Sequence, residues 1–181
     1  MTRFVLLIAA AALFLGPSTA SAAVDITFYS REYGSHFPHA FITLSGTLNR
    51  SGERIDANYG FTATHVTPAI LLGSVRGEII SADARYIASS DPHFRFTLSD
   101  AEYDAVMRIV EEWRSLPQPS YNLNRQNCVF FVARVAAALG MRASTPAALM
   151  KKPRSYAEHL TRENRAWLER RRAAFLRQPA R

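Results

Sequence analysis

Apolar and polar residues along this chain recur with two different periods, and the switch between them divides it. Residues 24–30, 39–45, 54–62, 75–82 and 93–98 are rich in β-branched and aromatic side chains and alternate fully or in part, which predicts five strands. Alternation is cleanest in the last, where Phe94, Phe96 and Leu98 fall on one face. Between the second and third, Asn49-Arg50-Ser51-Gly52 has hairpin-turn chemistry. With 49–52 as the loop, Leu48 faces Glu53, Ser45 faces Asp56 and His39 faces Thr62. Asn58 and Gly60 then share the face of His39.

After Leu98 the period lengthens. Ser99 followed by Glu102 is a capping-box signature, and Tyr103, Val106, Met107, Val110 and Trp113 follow at helical spacing until Pro117 and Pro119. A polar loop, residues 120–126, leads to a second helix over 127–139, stopped by Gly140. Thr145-Pro146 predicts a short helix that ends at Pro153. The tail from 155 to 178 reads as helical, with Tyr156, Leu160, Trp167 and Phe175 as docking residues. Strands first and helices later predict an α+β fold, a small antiparallel sheet packed against helices, in one domain over 23–181.

Residues 1–22 change the picture of location. A basic start at Arg3, an apolar run from Phe4 to Leu15, Gly16-Pro17 and then Ala20-Ser21-Ala22 have the layout of a secretory signal peptide. The run is shorter than the roughly 20 residues that cross a bilayer. The expectation is therefore a periplasmic or secreted protein. Its 181 residues carry a formal charge of +7, concentrated in a basic helical C-terminal tail from Lys151 to Arg181. In an exported chain that tail offers an anionic surface contact and makes nucleic acid an unexpected partner.

Cys128 is the chain's one cysteine, so no internal disulfide exists. It is buried, paired with another chain, or a reactive thiol. It falls on the first turn of the 127–139 helix, where the positive end of the helix dipole favours thiolate. The rest of that helix is apolar nearly all round, which predicts a rigid central element. A thiol nucleophile needs a base, and five histidines are present: His36, His39, His65, His93 and His159. His36-Phe37-Pro38-His39 has metal-like spacing, but it lies on no helix and has no third ligand, so neither a metal nor a cofactor is expected.

Asn127-Cys128-Val129-Phe130-Phe131-Val132 resembles the N-C-x-x-F-V segment of lecithin–retinol acyltransferase-like proteins, in the circularly permuted NlpC-type branch of papain-like cysteine hydrolases. His39-Ala40-Phe41-Ile42-Thr43-Leu44 is similar to the histidine strand of that branch, which precedes the cysteine. Val129 and Phe130 stand where the acyltransferase-like motif usually has polar residues. The resemblance implies Cys128 as nucleophile and His39 as general base. Sheet parity favours Asn58 and Thr62 over Asp56 as the residue that orients His39, with Asn58 the choice, and the loop residues Tyr121, Asn122 and Gln126 are candidates for lining the substrate cleft. Asn127 reads as a helix cap, and the Cys128 N–H as an oxyanion donor. The expected activity is cleavage of an amide or ester in a cell-envelope substrate, a peptidoglycan peptide or a lipid. The alternatives are a non-catalytic envelope-binding module of the same fold and a membrane-surface lipid acyltransferase or hydrolase.

Overall fold

The computed structural model describes residues 23–32 and 38–176. The signal-peptide reading of 1–22 and the candidate His36 lie outside them, as does the side chain of Phe175. Five strands form one antiparallel sheet: β1 (Val24–Arg31), β2 (His39–Thr47), β3 (Arg54–Ala63), β4 (Gly77–Ile80) and β5 (Asp91–Leu98), in the spatial order β4-β3-β2-β1-β5. The register of β2 on β3 is the one the 49–52 loop requires. Thr43 pairs with Asn58, Ser45 pairs with Asp56, and the Leu48 N–H donates to the Glu53 carbonyl at 2.9 Å.

The sheet is two-faced for a reason visible in β1, where Val24, Ile26, Phe28 and Ser30 are buried and their neighbours only half so. Val24, Ile26 and Phe28 join Ala40, Ile42, Leu44 and Phe61 in a core covered by α3 (Asp100–Arg114), α4 (Cys128–Ala138), α5 (Pro153–Glu163) and α6 (Arg165–Leu176). The architecture is α+β. Among these helices α4 is packed against β2 and β3, and Val129, Phe131, Val135 and Ala136 are fully enclosed. The opposite face carries Phe41, which stacks on Tyr29 with ring centroids 5.1 Å apart and is capped by Tyr86, 5.7 Å away. Tyr86 belongs to α2 (Ala84–Ala88), started by the Asp83 side chain, which accepts from the Tyr86 N–H.

Three expectations about the C-terminal half are corrected. Residues 147–151 make only turns, with the Leu149 N–H on the Pro146 carbonyl at 2.8 Å, and no helix forms there. Pro153 starts α5 instead of ending a helix, because its missing N–H is one a first turn leaves unused. The tail is two helices, broken at Asn164, whose carboxamide turns back on Leu160 and binds both backbone groups of Arg142. Arg171 of α6 is not a free surface cation either. It grips both carboxylate oxygens of Glu102 and the Thr97 carbonyl, and lies over the Phe96 and Trp167 rings. Glu102 resists protonation as a result: burial alone would raise its pKa, but Arg171 and the Ser99 cap outweigh that and lower it.

Candidate active site

Cys128 is the first residue of α4, and Asn127 is its N-cap. The Asn127 side-chain oxygen accepts the Val129 N–H at 2.8 Å and the Phe130 N–H at 3.4 Å, which leaves the Cys128 N–H outside the cap. The thiol is enclosed, with the residue 5% exposed. Burial pushes its pKa up to about 11, and the backbone N–H groups of Ala40, Val129 and Cys128, which favour the thiolate, recover only part of that. The helix terminus was expected to favour the thiolate. Desolvation outweighs it here.

The Ala40 N–H, next in the chain after His39, reaches the sulfur, while strand alternation sends the Ala40 and His39 side chains to opposite faces of the sheet. The His39 ring itself shares the outer sheet face with Phe41, on which it is stacked at 6.1 Å, and lies against Gly60. His39 is 8% exposed, and burial pulls its pKa down to about 4. Its Nε2 is buried without a hydrogen-bond partner among the described residues. A buried imidazole nitrogen left open is uncommon, and such groups mark places where a ligand or a reaction supplies the partner. No hydrogen bond joins His39 to Cys128 among the described residues, so both groups rest neutral near pH 7.

His39 opens onto a cavity of about 290 Å³ shared with Phe41, Asn58, Gly60, Thr62, Val66, Tyr86 and Tyr121. Tyr121 also borders a second, narrow cleft of about 10 Å³ at Cys128, walled by Pro38, Met150, Lys151 and Pro153. Pro38 and Tyr121 are thus the residues that touch both spaces. Burial raises the Tyr121 phenol, and a thiolate at Cys128 raises it further. The same two influences raise Tyr86, against an opposing effect of Arg31.

Other sequence candidates serve the scaffold. Asn58 is not the partner of His39: its amide donates to the Ala82 carbonyl at 3.0 Å while its oxygen takes the Ala82 N–H, so the carboxamide is spent on tying β3 to the strand that returns. Asn122 donates to Ser74 and accepts from the Asn124 N–H, and its backbone pairs with that of Gln126. Neither Asn122 nor Gln126 lines a cavity at the site; both shape the loop that carries Tyr121. Among the remaining histidines, His93 is held by Ser30 at 2.8 Å, His159 lies by Tyr156 and His65 is exposed. No group of three metal-ligating side chains occurs among the described residues. Tyr86 and the Ala40 N–H were not singled out by the sequence, and Gly60 was read only as sharing the face of His39. A glycine inside a strand, in Asn58-Tyr59-Gly60-Phe61, is the signal that marks such a close approach.

The displaced pKa values set the pH range of stability. The unfolded chain protonates His39 near 6.5 and the folded chain only near 4, so stability is full above pH 6.5 and falls as pH drops toward 4. The loss at pH 4 amounts to roughly 3 kcal/mol. Burial of Cys128 works at the other end, where stability declines from pH 9 toward 11. Urea unfolding at pH 7 and 4.5 is expected to show the acid loss in the wild type and a markedly smaller one in His39→Gln. Equal losses in the two proteins would remove His39 as its source.

Comparisons with known protein families, curated proteins and solved structures returned no match.

Proposed function

We propose that this chain is an exported thiol hydrolase that opens an amide or ester bond through Cys128, with His39 as the base and a cell-wall peptide as the first substrate to test. The observation that supports it most directly is the Cys128 sulfur at the first turn of α4, reached by the Ala40 N–H of the strand whose preceding residue, His39, carries a buried, unpartnered imidazole. Proton transfer belongs to the attack itself, because both groups rest neutral. The thiol proton passes to His39 as sulfur bonds to the substrate carbonyl carbon, and the Cys128 N–H meets the developing oxyanion. The imidazolium returns the proton to the leaving amine or alcohol, and water releases the acyl group from the thioester. Apo enzymes often hold such pairs long or misaligned until substrate tightens them.

A second reading, a non-catalytic envelope-binding module that uses the 290 Å³ cavity, is favoured by the 5% exposure of Cys128 and the absence of a His39–Cys128 hydrogen bond among the described residues. Aryl esters of graded acyl length, followed by intact-protein mass spectrometry, separate the two. The hydrolase reading expects an acyl adduct on the wild type, none on Cys128→Ala, and formation slowed at least tenfold in His39→Ala. No adduct on any protein, or an adduct indifferent to His39, favours the binding module.

A further inference from the structure

Among the described residues the large apolar side chains most open to solvent are Val66, Leu71 and Leu72, at 57%, 74% and 90% exposure. All three sit in one short excursion between β3 and β4 that contains α1 (Ala69–Leu72). The excursion is braced. Ile70 is buried, the Thr64 N–H donates to the Arg76 carbonyl at 3.0 Å, and Val75 and Tyr121 exchange backbone hydrogen bonds at 2.9 Å. A buried anchor directly before the two exposed leucines holds them outward instead of letting them fold onto the core. Val66 also lines the cavity that His39 opens onto, so the apolar tip is the lip of that cavity.

Cations flank the tip. Arg76 and Arg125 are exposed and belong to none of the ion pairs among the described residues, and Arg125 reaches Ser74 at 3.4 Å. Glu78 is the carboxylate nearest along the chain, two residues past Arg76, in a chain of formal charge +7. Three apolar side chains fall far short of the roughly 800 Å² per partner that a stable protein interface buries. A bilayer needs no such area, because each inserted side chain enters an apolar phase and each flanking cation meets anionic headgroups.

We propose that residues 65–76 form an interfacial docking tip, which sets Leu71 and Leu72 into the surface of an anionic membrane with Arg76 and Arg125 at the headgroups. The mouth of the cavity then faces the bilayer. This surface is distinct from the C-terminal tail, whose Arg171 is engaged within the fold.

Sedimentation of the full mature chain with vesicles of phosphatidylcholine, with and without 30% phosphatidylglycerol as the probe, tests it. The wild type is expected to bind the anionic vesicles. Leu71→Ser/Leu72→Ser should weaken binding roughly tenfold, and Arg76→Gln/Arg125→Gln roughly fivefold for each charge removed. Arg170→Gln/Arg172→Gln in the tail should retain most of it. These positions are exposed, and coincident urea unfolding with the wild type shows that the variants fold. The proposal is overturned if the wild type ignores anionic vesicles, if the leucine pair binds like the wild type, or if only the tail variant loses binding. It is equally overturned if the leucine pair converts a dimer to a monomer with vesicle binding unchanged, since the tip is then a self-association surface. Vesicle binding requires no thiol chemistry, so Cys128→Ala is expected to bind as the wild type does, which keeps this outcome separate from that of the acylation test.

Discussion

Replacing Gly60 with alanine is expected to lower acylation of Cys128 by roughly 10²–10⁴-fold, the range that a general base contributes. A β-carbon at position 60 would stand 2.3 Å from His39 Nε2, 3.1 Å from its Cε1 and 3.1 Å from the Phe41 β-carbon. The ring has no room to slide along the sheet, because it is stacked on Phe41, which is held between Tyr29 and Tyr86. It must swing out into the cavity. Overpacking of this kind costs about 1–3 kcal/mol at neutral pH. The swing also rehydrates the imidazole, so its pKa rises from about 4 toward the ordinary value and the acid loss of stability shrinks. The expected signature is therefore threefold: slower acylation, lower stability at pH 7 and a flatter acid limb. NMR titration of His39 provides the check. An imidazole that still titrates near 4 in Gly60→Ala, with acylation intact, would show that Gly60 does not place the base.

Gly60 illustrates which parts of the site can be read from sequence. The 49–52 turn fixes register, and register fixes face, so the meeting of His39 with residues 58 and 60 follows from counting. What counting cannot give is the partner of a side-chain amide. Asn58 lies on the right face, yet its amide is claimed by the Ala82 backbone, which arrives from β4 and leaves no periodic trace. The same holds for Asn122, polar in a loop and so a natural candidate for cleft lining, but committed to Ser74 and Asn124. Tyr86 was illegible because a five-residue helix has no period to detect; the Asp83 cap is its one local sign. Pro153 was ambiguous, since proline opens a helix as readily as it follows one. Cys128 shows the division most sharply. Its place on the helix is a local property and was legible, whereas its burial depends on Pro38 and Met150, far from it in sequence.

Asn127→Ala is expected to destabilise the protein by roughly 4 kcal/mol, a large share of the stability of a domain this size. The residue is 2% exposed and its hydrogen-bonding groups are engaged on both sides. The oxygen caps α4 through Val129 and Phe130, and the nitrogen donates to the Leu123 carbonyl at 2.8 Å and the Met150 carbonyl at 2.9 Å. Alanine removes the cap, worth about 1 kcal/mol, and strands the buried Leu123 carbonyl and the part-buried Met150 carbonyl, the first at about 1–3 kcal/mol and the second at the low end of that range. Asn127→Ser keeps a cap acceptor and strands only the carbonyls, so it should fall short of alanine by about the cap's share. Urea unfolding orders the three proteins. The tie to Met150 also seals the thiol, because Met150, Lys151 and Pro153 wall the narrow cleft at Cys128. Both variants should therefore alkylate faster at Cys128 with a small neutral maleimide under native conditions, even though the helix terminus that favours thiolate is weakened in one of them. Access, not thiolate stabilisation, then limits the resting thiol. Alkylation as slow as in the wild type, alongside the expected loss of stability, would instead mean that the 150–153 segment closes over Cys128 without help from Asn127.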